Sequence, residues 1–384
     1  MILFRVTLAF LLLLLLPDWY IYKVYVQPMG RRMARRLHWL PSAVLLAVLA
    51  GFLLLHERLH HEFGYYLIVM LCISVPKVVF TLTDLLLKGV RGLFRLPRFE
   101  LPVALLAGII GCVYVVYGAV WGKENFQVKE VTFCSPALPA AFDGYRILQI
   151  SDLHIGSWKG NPAPLEEAVG LCNRQQPDVV LFTGDLVNSR ADELPEFMPI
   201  LSRLTAKDGV YSVLGNHDYG QYVHWNTEAE SEANLDSLKQ RERQMGWELL
   251  LNEHRTLYRA NDSIALVGVE NNGRPPFPQR ARLAEALQGT AGMFKVLMSH
   301  DPTHWRMEVL PDTDIHLTLA GHTHDMQISL FGWSVSQWIY PEHNGLYLQD
   351  GRGLYVNIGL GFVLFPMRLG AWPEITVITL RKQS

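Results

Sequence analysis

Apolar positions along this chain follow two regimes. Residues 2–22, 40–55, 63–87 and 101–121 form four long apolar stretches. A helix crosses a bilayer core with about 20 apolar residues, so each stretch predicts a membrane-spanning helix, the second borrowing flanking residues to reach that length. The first, with Leu11 to Leu16 unbroken, shares its apolar run with secretory leaders. Pro17, Asp18, Trp19 and Tyr20 follow where cleavage would need small residues, which predicts an uncleaved span with aromatic residues at the interface. From about residue 126 the runs become short. Strands are predicted over 145–151, 178–183, 210–214, 263–269, 295–299, 314–319, 354–357 and 374–380, and helices over 164–174, 194–204 and 228–245. Strands alternating with helices predict a layered α/β domain. The expected organisation is a helical transmembrane region over 1–121, a linker over 122–143 and a second domain over 144–384.

Composition supports this division. Half of the 384 residues are apolar and 18% are charged, which excludes a disordered chain, and four cysteines are too few for a disulfide framework. The net charge of −2 conceals an asymmetry: residues 1–121 hold 12 Lys/Arg and 5 Asp/Glu, the remainder 22 and 31. A net-acidic second domain argues against nucleic acid as a partner. The loop after the first span holds Arg31, Arg32, Arg35 and Arg36; the loop after the third holds Lys88, Arg91, Arg95 and Arg98; the middle loop has only Arg58, beside Glu57 and Glu62. Basic loops stay on the cytoplasmic side. The expectation is therefore an integral protein of the cell (inner) membrane, surrounded by membrane lipids, with the N-terminus and everything after Trp121 extracytoplasmic.

Chemistry concentrates at strand ends. Predicted strands run into Asp152-Leu153-His154, Gly184-Asp185, Gly215-Asn216-His217-Asp218, Ser299-His300-Asp301 and Gly321-His322-Thr323-His324. Sites in α/β sheets assemble at the carboxyl ends of strands. Carboxylate and amide oxygens mixed with imidazoles suit Mn²⁺, Fe or Zn²⁺ better than Ca²⁺. Two such ions sharing a carboxylate can activate a bridging water for in-line attack on phosphorus. Glycines before Asp185, Asn216 and His322 allow tight turns close to such ions. Separately, His56-Glu57-Arg58-Leu59-His60 matches H-E-x-x-H, in which two histidines on one helix face hold zinc and the glutamate acts as base. It lies in a short charged link between spans, with Asp84 as the one further ligand within view.

At these residues the chain resembles the calcineurin-like metallophosphoesterases, whose pattern is D-x-H, G-D, G-N-H-D/E, a lone His and G-H-x-H. All five blocks are present in order between Asp152 and His324. The resemblance implies a four-layer α/β/β/α sandwich. It implies that Asp152, His154 and His324 hold one metal, that Asp185 bridges, and that Asn216, His300 and His322 hold the second, with Mn²⁺ favoured and Fe or Zn²⁺ as alternatives. It assigns His217, oriented by Asp218, to the substrate: to its phosphoryl oxygens or its leaving group. The ending 354–376 is similar to the membrane-associated phosphodiesterase branch, some of whose members cleave the pyrophosphate of UDP-2,3-diacylglucosamine, and Arg368 there is a candidate substrate contact. That branch reads G-H-T-H-G-G-Q; here Asp325 and Met326 replace the two glycines and Gln327 is retained. Residues 326–347 are unusually apolar and aromatic, which suits a lipid-facing rim or packing under a long loop. The expected function is a membrane-anchored binuclear phosphoesterase that hydrolyses phosphodiester or pyrophosphate bonds of a lipid-linked substrate. The alternatives are a membrane zinc metalloprotease using His56, Glu57 and His60, and a non-catalytic scaffold with a vestigial metal site.

Overall fold

The computed structural model describes residues 2–54 and 56–383, with side chains for all of these except 2–10, 53 and 56–61. The chain divides into two compact units: Met1–Gly122 with Leu364–Leu369, and Lys123–Val363 with Gly370–Ser384.

The first unit is helical: α1 (Ile2–Ile21), α2 (Arg32–Leu54), α3 (His56–Phe94) and α4 (Glu100–Val120). Among the described residues, Glu62–Phe94 and Glu100–Val120 are long and apolar enough to cross a membrane. Small residues let helices approach where lipid removes the hydrophobic drive to associate. A Cβ on Gly108 of α4 would stand 3.0 Å from the Pro76 carbonyl of α3, and one on Gly118 would stand 2.9 Å from the Arg368 carbonyl. The second contact is how Leu364–Leu369 joins the helices, where the Arg368 N–H also donates to the Gly118 carbonyl (3.2 Å). Charges inside the unit are paired, as a low-dielectric setting requires. Asp18 meets Lys77 (2.7 Å) and Ser42. Asp84 accepts from Tyr20 (2.6 Å) and Tyr25 (2.7 Å) and pairs with Lys88 (2.9 Å).

The second unit holds two six-stranded sheets. The first has the order β1 (Gln127–Ser135), β12 (Glu374–Lys382), β2 (Arg146–Ile150), β3 (Val179–Phe182), β4 (Val210–Ser212), β5 (Glu248–Leu249). The second has the order β10 (Gly345–Gln349), β11 (Arg352–Val356), β9 (Leu317–Ala320), β8 (Phe294–Met298), β7 (Asp262–Gly268), β6 (Glu253–Arg259). Period-2 alternation assigns the faces. Ile147, Val179 and Leu181 of the first sheet share one core with Leu266, Val296 and Leu319 of the second. Leu148, Val180 and Phe182 point the other way and are covered by helices α5 (Ala163–Arg174), α6 (Met198–Leu201) and α7 (Glu228–Gln244). Val267, Leu297 and Val356 pack outward under Trp305 and Val309. This is the four-layer α/β/β/α arrangement.

Several segments depart from the sequence-based expectation, two of them at length. Residues 127–135, read as linker, form β1, which pairs in parallel with β12 from Gln127↔Glu374 to Ser135↔Lys382. The expected helix over 194–204 shrinks to α6, because Pro195 and Pro199 restrict where a helix can run.

Candidate metal centre

β2 and β3 end in register, Ile150 opposite Phe182, and β8 and β9 likewise, Met298 opposite Leu319. Four strand ends thus release their loops at one edge. The loops are bent tightly: Asp152, His154, Asp185, His322 and His324 all have positive φ, between 43° and 75°. Non-glycine residues adopt that region at a cost and cluster there at functional sites. Two glycines are sterically required. A Cβ on Gly215 would collide with the Asp185 carboxylate, and one on Gly321 with Ser151 and Asp152.

The ligand-type side chains converge. Asp152, His154 and His324 bring one donor atom each within 4.8 Å of one another, and so do Asp185, His300 and His322. His154 Nε2 lies 2.9 Å from His324 Nε2, which is 3.3 Å from Asp152 Oδ1. Asp185 Oδ2 stands between the groups, 3.7 Å from His154 Nε2 and 3.1 Å from His300 Nε2. The Asn216 side-chain oxygen lies 3.2 Å from His300 Nε2, and His322 Nδ1 lies 3.3 Å from the same atom. His300 Nδ1–H donates to the Thr183 carbonyl (2.7 Å), which leaves Nε2 as its ligand atom. All seven residues expected to bind metal are therefore brought together, and all are buried or nearly so.

Electrostatics fit a cation here. Burial pushes the Asp152 carboxyl up to about 6, against the His300 charge and the His322 N–H. Burial also works against Asp185, but the imidazoles of His300, His217 and His154 outweigh it and hold that carboxyl well below its usual range. His300 would be lowered by burial, yet Asp185 and Asp152 raise it to about 10. The buried acids thus draw positive charge onto an imidazole. Two carboxylates, an amide oxygen and four imidazoles form a donor set suited to borderline divalent ions.

His217 lies at the same edge, and its ring stands 4.7 Å from that of His154. Its donor atoms also fall within 4.8 Å of those of His154 and Asp185. Its Nδ1 is 2.6 Å from the Asn188 carbonyl, so Nδ1 carries the proton. Asp218, expected to orient this imidazole, does something else. Its carboxylate accepts from the N–H groups of Asp185, Leu186, Val187 and Gly215 (2.8–3.2 Å), which makes it the knot of the metal-site loops. Arg368, the candidate substrate contact, is fully buried and is grouped with the helical unit. The side chains of His56, Glu57 and His60 lie outside the described residues, and Asp84 is already bound by two tyrosines and a lysine.

Sequence reasoning missed Tyr222 and Tyr340. The Tyr222 ring packs at a tilt against His217 (centroids 4.3 Å apart), and its hydroxyl accepts from Asn216 Nδ2 (2.8 Å). The Tyr340 hydroxyl meets His322 Nε2 (2.9 Å). Only the aromatic density after Asp218 hinted at the first. Asp325 and Met326, in the place of two glycines, also have positive φ (49° and 51°). The Asp325 carboxylate takes His343 Nδ1 (2.9 Å) and its N–H donates to Thr323 Oγ1 (3.2 Å), local bonds that let a non-glycine residue hold the left-handed turn.

Residues 145–326 match the family model of the calcineurin-like phosphoesterases, and residues 3–123 match that of a probable calcineurin-like phosphoesterase transmembrane domain. A transmembrane protein with metallophosphoesterase domain from Danio rerio is 31% identical over 72% of this chain, a match spanning 62% of that protein's length. The metallophosphoesterase YkuE of Bacillus subtilis is 31% identical over 67% of this chain and 86% of its own. The UDP-2,3-diacylglucosamine pyrophosphatase LpxG of Chlamydia trachomatis is 27% identical over 61% of this chain and 83% of its own. A solved structure of a dimetal phosphatase from Danio rerio is 14% identical over 57% of this chain and 88% of that one, with a TM-score of 0.35.

Proposed function

The chain belongs to the calcineurin-like metallophosphoesterases, and from that premise we propose that it is a membrane-anchored hydrolase of phosphodiester or pyrophosphate bonds that works with two divalent ions. The observation that carries the reading is the position of Asp185 Oδ2 between two ligand groups, within 3.7 Å of His154 and 3.1 Å of His300. Asp152, His154 and His324 would hold one ion and Asn216, His300 and His322 the other, with Asp185 available to both. Mn²⁺ is favoured, with Fe and Zn²⁺ as alternatives. When bound, such ions would supply Lewis acidity at the phosphorus and a water of lowered pKa.

The chain's own residues do the rest. Asp218 fixes the loops that present Asp185 and Gly215. His217, anchored through Nδ1 on Asn188, keeps Nε2 for a phosphoryl oxygen or the leaving group, and Tyr222 holds its ring from the side. A preorganised group of this kind stabilises charge as it develops. The substrate class is a lipid-linked phosphate at the membrane surface. LpxG, whose name gives a lipid-bearing nucleotide as its substrate, lends support to the lipid part. The basic loops support a catalytic unit outside the cytoplasm, at the cell (inner) membrane, and with it an extracytoplasmic lipid phosphate over a cytoplasmic nucleotide.

The test is stoichiometry together with turnover. Full-length protein reconstituted with excess Mn²⁺ should approach two equivalents by elemental analysis and should cleave an activated phosphodiester. A stoichiometry of one that Asn216→Ala leaves unchanged overturns the two-ion reading.

A further inference from the structure

Between Asp325 and Glu342 the chain carries no charged residue. This stretch is an ordered arm. Leu330 and Trp333 exchange backbone hydrogen bonds (2.8 and 3.0 Å) around a two-residue turn of Phe331 and Gly332, both with positive φ. A short 3₁₀ turn, Val335–Trp338, follows. Several polar groups bond within the arm: Ser334 Oγ donates to the Asp325 carbonyl (2.8 Å), Gln337 Nε2 donates to the Gly332 carbonyl (3.2 Å), and the Tyr340 N–H donates to the Ser336 carbonyl (2.8 Å). What remains outward is apolar. Phe331 at the tip is fully exposed and Trp338 is 75% exposed; Leu330, Trp333, Val335 and Ile339 are each more than two-fifths exposed. The two tryptophan rings touch, with centroids 5.3 Å apart.

A soluble surface rarely keeps such a patch uncovered. The chain itself indicates the cover. At the base of the arm the Gln327 side-chain oxygen accepts from the Val363 N–H (2.6 Å), and Gly370 abuts the Ser329 backbone so closely that a Cβ there would collide with it. Val363 and Gly370 are the two residues that flank Leu364–Leu369, the segment grouped with the apolar helices. The residues before and after that segment in the chain are thus both fastened to the first residues of the arm. An uncharged, internally hydrogen-bonded tip rich in Trp and Phe has the composition of a membrane-interface anchor.

We infer that residues 330–339 insert into the lipid surface, with Phe331 and Trp338 as the anchors. The occupant is the bilayer interface, not a second protein. The arm's two roots lead to the metal centre: Met326 follows two residues after His324, and the Tyr340 hydroxyl meets His322. A lipid phosphate under the arm is therefore presented beside the site. That consequence rests on the catalytic reading, whereas the lipid contact does not.

The test reads the lipid contact without turnover. Full-length protein carrying Cys134→Ser together with Phe331→Cys, Trp338→Cys or, as an exposed control, Tyr258→Cys is labelled with an environment-sensitive fluorophore. Each variant is reconstituted in vesicles of phosphatidylethanolamine and phosphatidylglycerol, with and without brominated acyl chains. Brominated lipid should quench the probes at 331 and 338 several-fold more than the probe at 258. Quenching at 331 and 338 equal to the control overturns the inference. So does a blue-shifted emission at both positions that brominated chains leave untouched, since protein would then cover the arm. Either failure leaves metal binding and phosphodiester turnover unaffected, and their loss alone leaves this inference standing.

Discussion

His217 stands where two roles are open to one nitrogen. It lies near enough to His154 and Asp185 to join a metal group, and its Nδ1 is held by the Asn188 carbonyl, which leaves Nε2 for either a metal or the substrate. An imidazole pinned through one nitrogen offers a single Nε2, and acting on the substrate predicts a specific separation of effects. His217→Ala should keep the full metal content by elemental analysis and lose about 10²–10³-fold in turnover, the usual cost of one well-placed electrostatic group. The loss should be smaller for a nitrophenyl phosphodiester, whose leaving group needs little protonation. A variant that loses a metal equivalent instead moves His217 into the ligand set. The residues drawn into the site were legible in the sequence because each motif sits at the end of an apolar strand. The job of Asp218 was not, because its four N–H donors come from loops more than 30 residues apart along the chain or are fixed by a turn that letters do not specify. Tyr340 was equally hidden: it lies in an apolar run, and only the folded arm returns it to His322.

At the scale of elements, helix α7 joins the site to the first sheet through a buried acid. Its exposed face is polar, but Glu242 is fully buried against β4, where Ser212 donates to it. Burial, with the nearby Asp218 charge, pushes Glu242 from an ordinary 4.5 up to about 8, while the Ser212 bond works the other way. The sign follows directly. Between those two values the folded chain keeps a proton that the unfolded chain releases, so the contribution of Glu242 to stability is complete below 4.5 and is lost as pH rises through 8. Glu242→Gln cannot ionise. Its melting temperature should fall less than that of the parent protein on going from about pH 5 to about pH 8, by several degrees, given roughly 2–4 °C per kcal/mol in a domain of this size. Parallel melting curves would show that Glu242 is not what titrates. Elements were legible where period and caps agreed, as for α7, which starts at Thr227 accepting from Glu230. They were illegible at sheet edges. In β1, Lys129 and Glu130 interrupt the apolar pattern because that strand pairs on one side only, with β12. The edge strands β6 and β10 are half-exposed and read as loop for the same reason.

For the whole molecule the side of the membrane on which the catalytic unit works is a proposal that rests on charge. Four spans, as the apolar stretches lead one to expect, would put the N-terminus and residues 123–384 on one side and the two basic loops on the other. The folded chain refines the count. Lys88 is paired with Asp84 and Arg91 with Glu100 (2.8 Å), whereas Arg95 and Arg98 stay exposed beside the third helix's end, and Arg31, Arg32 and Arg36 stay exposed after the first. Lys and Arg govern orientation while acidic residues contribute little, so pairing does not cancel the bias. The opposite orientation would translocate all eight cations. The expected state has both loops in the cytoplasm and the metal centre outside it, where the available phosphoesters are lipid headgroups and scavenged diesters rather than nucleotide intermediates. A reporter fused after Ser384 tests this directly. Alkaline phosphatase should be active there and green fluorescence absent. The reverse pattern refutes the orientation, moves the metal centre to the cytoplasmic leaflet, and makes a nucleotide-linked lipid pyrophosphate the leading substrate, since the same ligands and the same arm would then face that side.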